Sequence, residues 1–558
     1  MLQVTYSNNI KLEGYSMPLK LRVTDDLTID NPAYIKAKRQ RRPTWGIDQR
    51  LRLYLYDEAG RLVLPRGYGE QLEGHIKELG LRHEFYTELV DGTPIDFGPW
   101  NESYVLRDYQ VPLVEALVAH NGVGVAPAGS GKTIMGMRYI YKVSRPTIWL
   151  THTTDLMYQT KARAEATLRG VGRIGILGDG TKDYGDGKLI IATVQTLRAD
   201  PKLIDFLNPY IGVVIIDEAH HFPANQFLDT AARFKAARIV GLTATPDRKD
   251  GMQKYMYAGI GPLRCQVERG ALYDNSQLIK PVVKFVYTDF TDSTTSGAAD
   301  NNVDAGGEDM DYVALINSLI NDDARTRLVA STIVDAIPEG PAIAIAESVR
   351  YCFKLQEAVQ RLAKAKGLTV RTAVVHGGLQ RFAWRVAGSQ SEAEAKAAVY
   401  GTEAKYDSKA RRWKVKTPQY SDAEFKAWQI TPTQRKEILQ AVNSRNVDIL
   451  FATQLAREGL DIPHLCVGHS VTPKKGDDAN SKTGAALEQE IGRIMRPDPQ
   501  SPDKRAVWYD YVDINVGVFK QQYYSRRKVY KRLGIPLPSK PKDTERDIID
   551  NFLGNLKF

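Results

Sequence analysis

Residues Gly122 to Thr133 read G-V-G-V-A-P-A-G-S-G-K-T, followed by I-M-G-M-R-Y-I-Y to Tyr141. The first five residues are apolar or small with no polar alternation, which predicts a strand covered on both faces. The stretch after the loop predicts a helix from Lys132 to Tyr141. A glycine-rich turn between a strand and a helix N-terminus aims backbone N–H groups at phosphate. In that arrangement Ala128, Gly129, Ser130 and Gly131 line the loop and Lys132 reaches the β and γ oxygens. The Thr133 hydroxyl ligates magnesium. Ala126 stands where the usual pattern begins with glycine.

Eighty-five residues beyond Lys132, the apolar run G-V-V-I-I leads straight into D-E-A-H at Asp217 to His220. A magnesium-bound triphosphate needs a carboxylate at the end of a neighbouring strand, so Asp217 is expected to hold the ion and Glu218 to polarise the attacking water. Further strand patterns occur at T-I-W-L-T-H from Thr147, K-L-I-I-A-T from Lys188 and R-I-V-G-L-T from Arg238. A second series follows at Ala342, Thr369, Val447 and Arg505. The fold class expected is α/β with two tandem P-loop-type domains, a small N-terminal α/β domain and a short basic C-terminal extension. The divisions are 1–100, 101–287, a linker 288–310, 311–515 with an insertion at 381–436, and 516–558. Within the N-terminal part, L-R-L-Y-L-Y, D-E-A-G and R-L-V-L-P-R-G from Leu51 to Gly67 predict a hairpin.

The chain has 558 residues, enough for three or four domains. Its composition excludes whole-chain disorder, and three widely spaced cysteines, Cys265, Cys352 and Cys466, form no C-x-x-C pair, which fits a reducing compartment. No signal-peptide pattern and no long uninterrupted apolar window is seen, so no membrane partner is expected and a cytoplasmic location is. Net charge is +10, concentrated at 381–436 with 12 basic and 6 acidic residues and at 516–558 with 10 and 4. A local polyanion-binding surface is expected there. Lys36 to Arg42 adds five basic residues in seven.

D-E-A-H after a phosphate loop, with T-A-T at Thr243 to Thr245, resembles the DExH side of the superfamily 2 helicases. L-R-D-Y-Q at Leu106 to Gln110 resembles the segment before the loop in XPB-like and phage UvsW-like (ResIII-type) DNA helicases. T-H-T-T-D-L at Thr151, T-V-Q-T-L at Thr193, V-V-H-G-G at Val374, A-T-Q-L-A-R-E-G-L-D-I-P from Ala452 and Q-E-I-G-R-I-M-R from Gln489 continue it in order. The resemblance implies two RecA-like domains, ATP and Mg2+ as cofactors, and a DNA helicase or translocase of replication, recombination or repair in a bacterial or phage setting. Single-stranded, forked or branched DNA, including R-loops, is the expected partner and a monomer the expected state. RNA helicase activity, or an ATP-dependent clamp that separates no strands, is the alternative.

By the same resemblance Arg107 and Gln110 serve the nucleotide, with Gln110 at the adenine edge. His220, Gly459 and Asp461 couple nucleotide state to the other motifs, and Thr151, Thr193 and Thr453 contact the strand. Arg248 opens a triplet, Arg248-Lys249-Asp250, where XPB-like proteins carry R-E-D. Gln489, Arg493 and Arg496 complete the catalytic set. The two arginines, three residues apart, are expected on one helix face aimed at the γ-phosphate. The insertion at 381–436 matches no family motif. Its R-R-W-K-V-K core nominates Arg411, Arg412, Trp413, Lys414 and Lys416 as a nucleic-acid platform. Burial of Trp413 in a small core of its own is the competing expectation.

Overall fold

The computed structural model describes residues 1–39, 43–127, 129–219, 230–244, 253–274, 278–292, 312–377, 379, 381–407, 412–453, 462–476 and 485–537. These fall into two compact units, one made of Met1–Asp322, Arg457–Cys466 and Pro473–Phe558, the other of Asp323–Ala456 and Val467–Thr472.

In the first unit the N-terminal residues form a five-stranded sheet backed by the helices Met17–Asp26 and Gly69–Glu78. Its hairpin pairs Leu55–Tyr56 with Leu62–Pro65, closed by a turn in which Asp57 Oδ1 accepts from the N–H groups of Ala59 and Arg61. The L-P-R-G motif then docks this sheet. Arg66 donates to the carbonyls of Ala236 and Ala237 at 2.6 and 3.0 Å. A Cβ on Gly67 would stand 2.5 to 2.6 Å from backbone atoms of Tyr257, Ala258 and Gly261, so only glycine allows this approach.

The phosphate-loop strand, Gly122–Val125, lies in an eight-stranded sheet. Across the sheet run Thr181–Gly185, Ile174–Gly178, Leu189–Thr193, Thr147–Thr151, Val213–Asp217, Arg238–Thr243, Gly122–Val125 and Leu263–Gln266, parallel except for the first, edge strand. Every residue of Val213–Asp217 and of Thr147–Thr151 is buried, which is why these runs show no alternation. The helix after the loop, Lys132–Val143, carries Gly136 directly under the fully buried Trp149. Glycine there costs helix propensity of about 1 kcal/mol and lets a large indole seat on the helix.

In the second unit the parallel strands Thr372–Val375, Ile449–Ala452, Ala342–Ile345 and Val467–Ser470 are neighbours in that order. Between Thr372–Val375 and the helix Pro432–Asn443 the insertion forms its own three-stranded sheet and helix.

Two boundaries differ from expectation. The strand Val282–Tyr287, placed by sequence with the first domain, pairs in parallel with Val507–Val512 of the later series. The C-terminal helix, Gly517–Arg532, is no appended extension: Tyr523, Val529 and Leu533 are buried, and so are Arg526 and Arg527. Arg526 makes a two-pronged pair with Asp510 at 2.9 and 2.8 Å, and Asp510 also accepts from Tyr530. Cations consumed in this way leave less of residues 516–558 for a polyanion. No helix among the described residues is long and apolar enough to cross a membrane.

Candidate active site

The phosphate loop ends where Gly131 caps the helix Lys132–Val143 with φ +84°, and Gly129 also lies in the left-handed region at φ +83°. Both glycines are required: a Cβ at Gly131 would stand 2.6 Å from Gln110 Nε2, and one at Gly129 2.8 Å from Leu278 Cδ2. Gly131 provides no side chain to cap the helix, so its first N–H groups face the loop. The Ser130 hydroxyl is fully buried and has no hydrogen-bond partner among the described residues. An orphaned donor, a left-handed glycine cradle, a helix N-terminus and Lys132 together fit a phosphate chain.

Gln110 braces this loop. It is buried, donates from Nε2 to Ser130 O at 2.7 Å, and accepts at Oε1 from Arg107 N at 3.0 Å. At most one N–H remains for a base edge. Tyr109, quoted within L-R-D-Y-Q but assigned no role by sequence, donates to the same Ser130 carbonyl at 3.2 Å and accepts from exposed Arg107 at 3.0 Å.

Asp217 ends its strand as expected, though not on the immediate neighbour of the phosphate-loop strand. Arg238–Thr243 runs between the two, and Thr243 O accepts from Ala126 N at 2.9 Å. Beyond Asp217 the chain turns sharply, with Glu218 at φ +48° and its N–H donating to Asp217 Oδ1 at 3.0 Å. That turn swings the Glu218 carboxylate to 3.2 Å from Lys132 Nζ, while its other oxygen accepts from Ala244 N at 3.3 Å. Lys132, Asp217 and Glu218 are thereby one cluster. Burial, and next the Glu218 charge, push the Asp217 carboxyl up to about 6, with Lys132 and His152 opposing. A buried carboxylate of raised pKa beside a phosphate cradle is a natural seat for a divalent cation, with Thr133 in the first turn of the loop helix as its companion.

Gln489 and Arg493 lie on the helix Ala485–Ile494. Arg496 does not: the helix stops two residues earlier because Pro497 disfavours helical backbone at the residue before it. The expected shared helix face is therefore corrected. Arg496 is held by its backbone, its carbonyl accepting from Lys504 Nζ at 2.6 Å. Sequence reading also passed over the acids that fix this helix. Glu488 is gripped by Arg269 and Arg532 at 2.9 and 3.2 Å, and the buried Glu490 pairs with Lys474.

The threonines nominated for strand contact are all buried. Thr151 is fully buried and donates to Thr153 O, and Thr193 is buried as the cap of the helix Val194–Ala199. Thr453 is buried as well, and its N–H reaches Val375 O. The hydroxyls of Thr151 and Thr193 are engaged at a strand end and a helix cap. Trp413 packs against the small core of the insertion, next to Ala387, Ala393, Ala397 and Val415, as the competing expectation had it. Lys414 and Lys416 are half-buried on the other face of their strand. Ala128, His220, Arg248, Arg411, Gly459 and Asp461 lie outside the described residues, as do 293–310 of the expected linker and the side chain of Arg412.

A type III restriction enzyme res-subunit model matches residues 103–248, and a helicase conserved C-terminal domain model matches residues 405–498. Over 221 residues the chain is 30% identical to the DNA 3'-5' translocase XPB2 of Sulfurisphaera tokodaii, covering 39% of this chain and 48% of that protein. Over 209 residues it is 31% identical to the DNA 3'-5' helicase XPB of Mycobacterium tuberculosis, covering 34% and 36%. The chain thus spans under half the length of these curated relatives. Among solved structures, the ATP-dependent Type ISP restriction-modification enzyme LlaBIII bound to DNA aligns with 87% of this chain and 37% of its own at TM-score 0.51 and 13% identity, a likeness of fold. With the phosphate loop and Asp217-Glu218 inside the first match and Gln489, Arg493 and Arg496 inside the second, the chain has two tandem RecA-like domains and resembles the XPB-like helicases of superfamily 2.

Proposed function

We propose that this chain is an ATP-dependent DNA helicase or translocase that acts on single-stranded, forked, branched or R-loop DNA in the 3′ to 5′ direction, as a monomer. The observation that carries the enzymatic part is the 3.2 Å pairing of Lys132 with Glu218 across the ends of two strands, beside Asp217. The names of the XPB relatives support DNA and the polarity.

Without substrate, Lys132 neutralises the carboxylate that is to act as base. Triphosphate in the cradle competes for the Lys132 ammonium and draws it from Glu218, whose other oxygen accepts from Ala244 N. The Ser130 hydroxyl and the loop N–H groups bind the phosphate oxygens. Asp217 and Thr133 would hold magnesium, which would offset phosphate charge when bound. Arg493 and Arg496 stabilise charge developing on the transferred group. DNA enters as the activator of turnover.

Steady-state ATPase with single-stranded, duplex and forked DNA tests this, run beside Glu218→Gln. The amide keeps the shape and cannot take a proton, so turnover should fall by a factor on the order of 100 or more while ATP and DNA binding persist. Near-normal hydrolysis by the variant would remove Glu218 from the role of base. Absence of DNA stimulation in the unmutated chain would remove DNA as the activator.

A further inference from the structure

The insertion that no family motif explains folds as strand Phe382–Ala387, helix Gln390–Tyr400, strand Ala404–Asp407 and strand Arg412–Pro418, the last in the middle of the sheet. The helix covers one face, where Ala387, Ala393, Ala397 and Val415 form the core and Trp413 and Ala404 pack against them. Strand alternation assigns the other face. Trp384 stands opposite Lys416, and Lys405 opposite Lys414, so Phe382, Trp384, Lys405, Lys414 and Lys416 share it. Lys405 Nζ lies 4.2 Å and Lys416 Nζ 5.1 Å from the Trp384 ring centroid, and the Arg381 guanidinium lies 5.6 Å from that of Phe382. Among the described side chains, Lys416 pairs with Glu403 and Arg381 with Asp422.

We propose that this open sheet face binds single-stranded DNA, with Phe382 and Trp384 stacking on successive bases and Lys405, Lys414 and Lys416 meeting the phosphates. Two residues apart on one strand, the rings sit about 7 Å from each other, a spacing that suits an extended strand with its bases unstacked. Every base has a π face, so such a platform grips without reading sequence, and paired bases in a duplex present no face to it. The lysines resting on Trp384 have an exchange available. A base takes their place on the indole, and the ammonium groups move to phosphate, where the attraction exceeds that of an exposed cation–π contact. The inference rests on the DNA reading above for the choice of DNA over RNA. It moves the aromatic anchor from Trp413, which belongs to the core, to Trp384.

The test uses the full chain, without nucleotide, and fluorescein-labelled oligo-dT followed by anisotropy across a salt series. Trp384→Ala should weaken binding about tenfold, with Trp384→Phe recovering most of the loss. The triple variant Lys405→Ala, Lys414→Ala, Lys416→Ala should lower the slope of log affinity against log salt by about 2. DNA-independent ATPase and melting temperature should stay at the unmutated values in both, whereas Trp413→Ala should lower the melting temperature. Unchanged affinity and slope in both variants, with DNA-stimulated ATPase intact, would overturn the platform and leave the motor reading standing. Losses confined to oligo-U would overturn the choice of DNA in favour of RNA. An unmutated chain that neither binds oligo-dT nor shows DNA-stimulated ATPase would overturn both proposals.

Discussion

Glu218 adopts φ +48°, a conformation that costs a non-glycine residue on the order of 1 kcal/mol, and the strand end holds it there through the bond from its N–H to Asp217. The strain has a geometric return: it separates two adjacent carboxylates, leaving Asp217 buried at the strand end and bringing Glu218 to Lys132. Burial and the neighbouring Glu218 charge make ionised Asp217 thermodynamically unfavourable. Its folded pKa, about 6, exceeds the ordinary carboxylate value, so the folded state holds the proton more tightly than the unfolded one and stability is lost as pH rises through roughly 4 to 6. Above that window the cost is on the order of 2–3 kcal/mol. Asp217→Asn, which keeps the acceptor for the Glu218 N–H, is expected to melt higher than the unmutated chain at pH 8, by a margin that vanishes near pH 4, and to lose magnesium-dependent turnover. Melting curves at both pH values check this, and a margin independent of pH would show that Asp217 is not the titrating group. The types of both acids were legible from D-E-A-H; the left-handed turn that gives them different surroundings was not.

At the scale of elements, the C-terminal helix shows how a charge run misleads. Y-Y-S-R-R-K-V-Y-K-R-L has the composition of a solvated binding surface, yet Tyr523, Val529 and Leu533 are buried and dock the helix. The arginines between them follow the same face inward. Arg526 pairs with Asp510, which Tyr530 also bonds, and Trp508 donates to Tyr530 at 3.2 Å. Removing one partner of a buried pair strands the other charge, so Arg526→Ala should destabilise by about 3–5 kcal/mol. Lys528→Ala, on the exposed side of the same helix, should change stability by less than about 0.5 kcal/mol. Urea unfolding of the two variants separates a core helix from a surface extension. Proline punctuation was the opposite case: M-R-P at Met495 to Pro497 carries the stop signal for the preceding helix in plain sight.

For the whole molecule, the phosphate loop and the Gln489–Arg496 segment come from chain stretches some 350 residues apart yet fall in one compact unit. Glu488 and Glu490, held by Arg269, Arg532 and Lys474, set the rotation of the helix that carries Gln489 and Arg493. If Arg493 acts on charge that develops only during phosphoryl transfer, Arg493→Ala should lower kcat by a factor on the order of 100 or more while KM for ATP moves severalfold at most. Equal losses in both, measured by ATPase with saturating DNA, would instead mean that Arg493 binds the ground state. The N-terminal sheet belongs to the same unit through Arg66 and Gly67, which makes L-P-R-G at Leu64 to Gly67 a docking motif.

Sequence alone determined the chemistry that depends on residue type at short range. G-S-G-K-T between a strand and a helix, two acids at the end of an apolar run, and apolar runs without alternation each carry their physical cause within about ten residues. Tertiary structure decided what depends on which face or which neighbour a residue meets. Thr151, Thr193 and Thr453 became buried caps and strand ends, and Val282–Tyr287 joined a strand more than 200 residues later. Trp384 and Trp413 exchanged roles because the pairing register of the inserted sheet, invisible in local composition, puts one under the helix and the other with the lysines. A strand's side chains alternate by necessity, but which of its two faces is covered is settled only when another element packs against it.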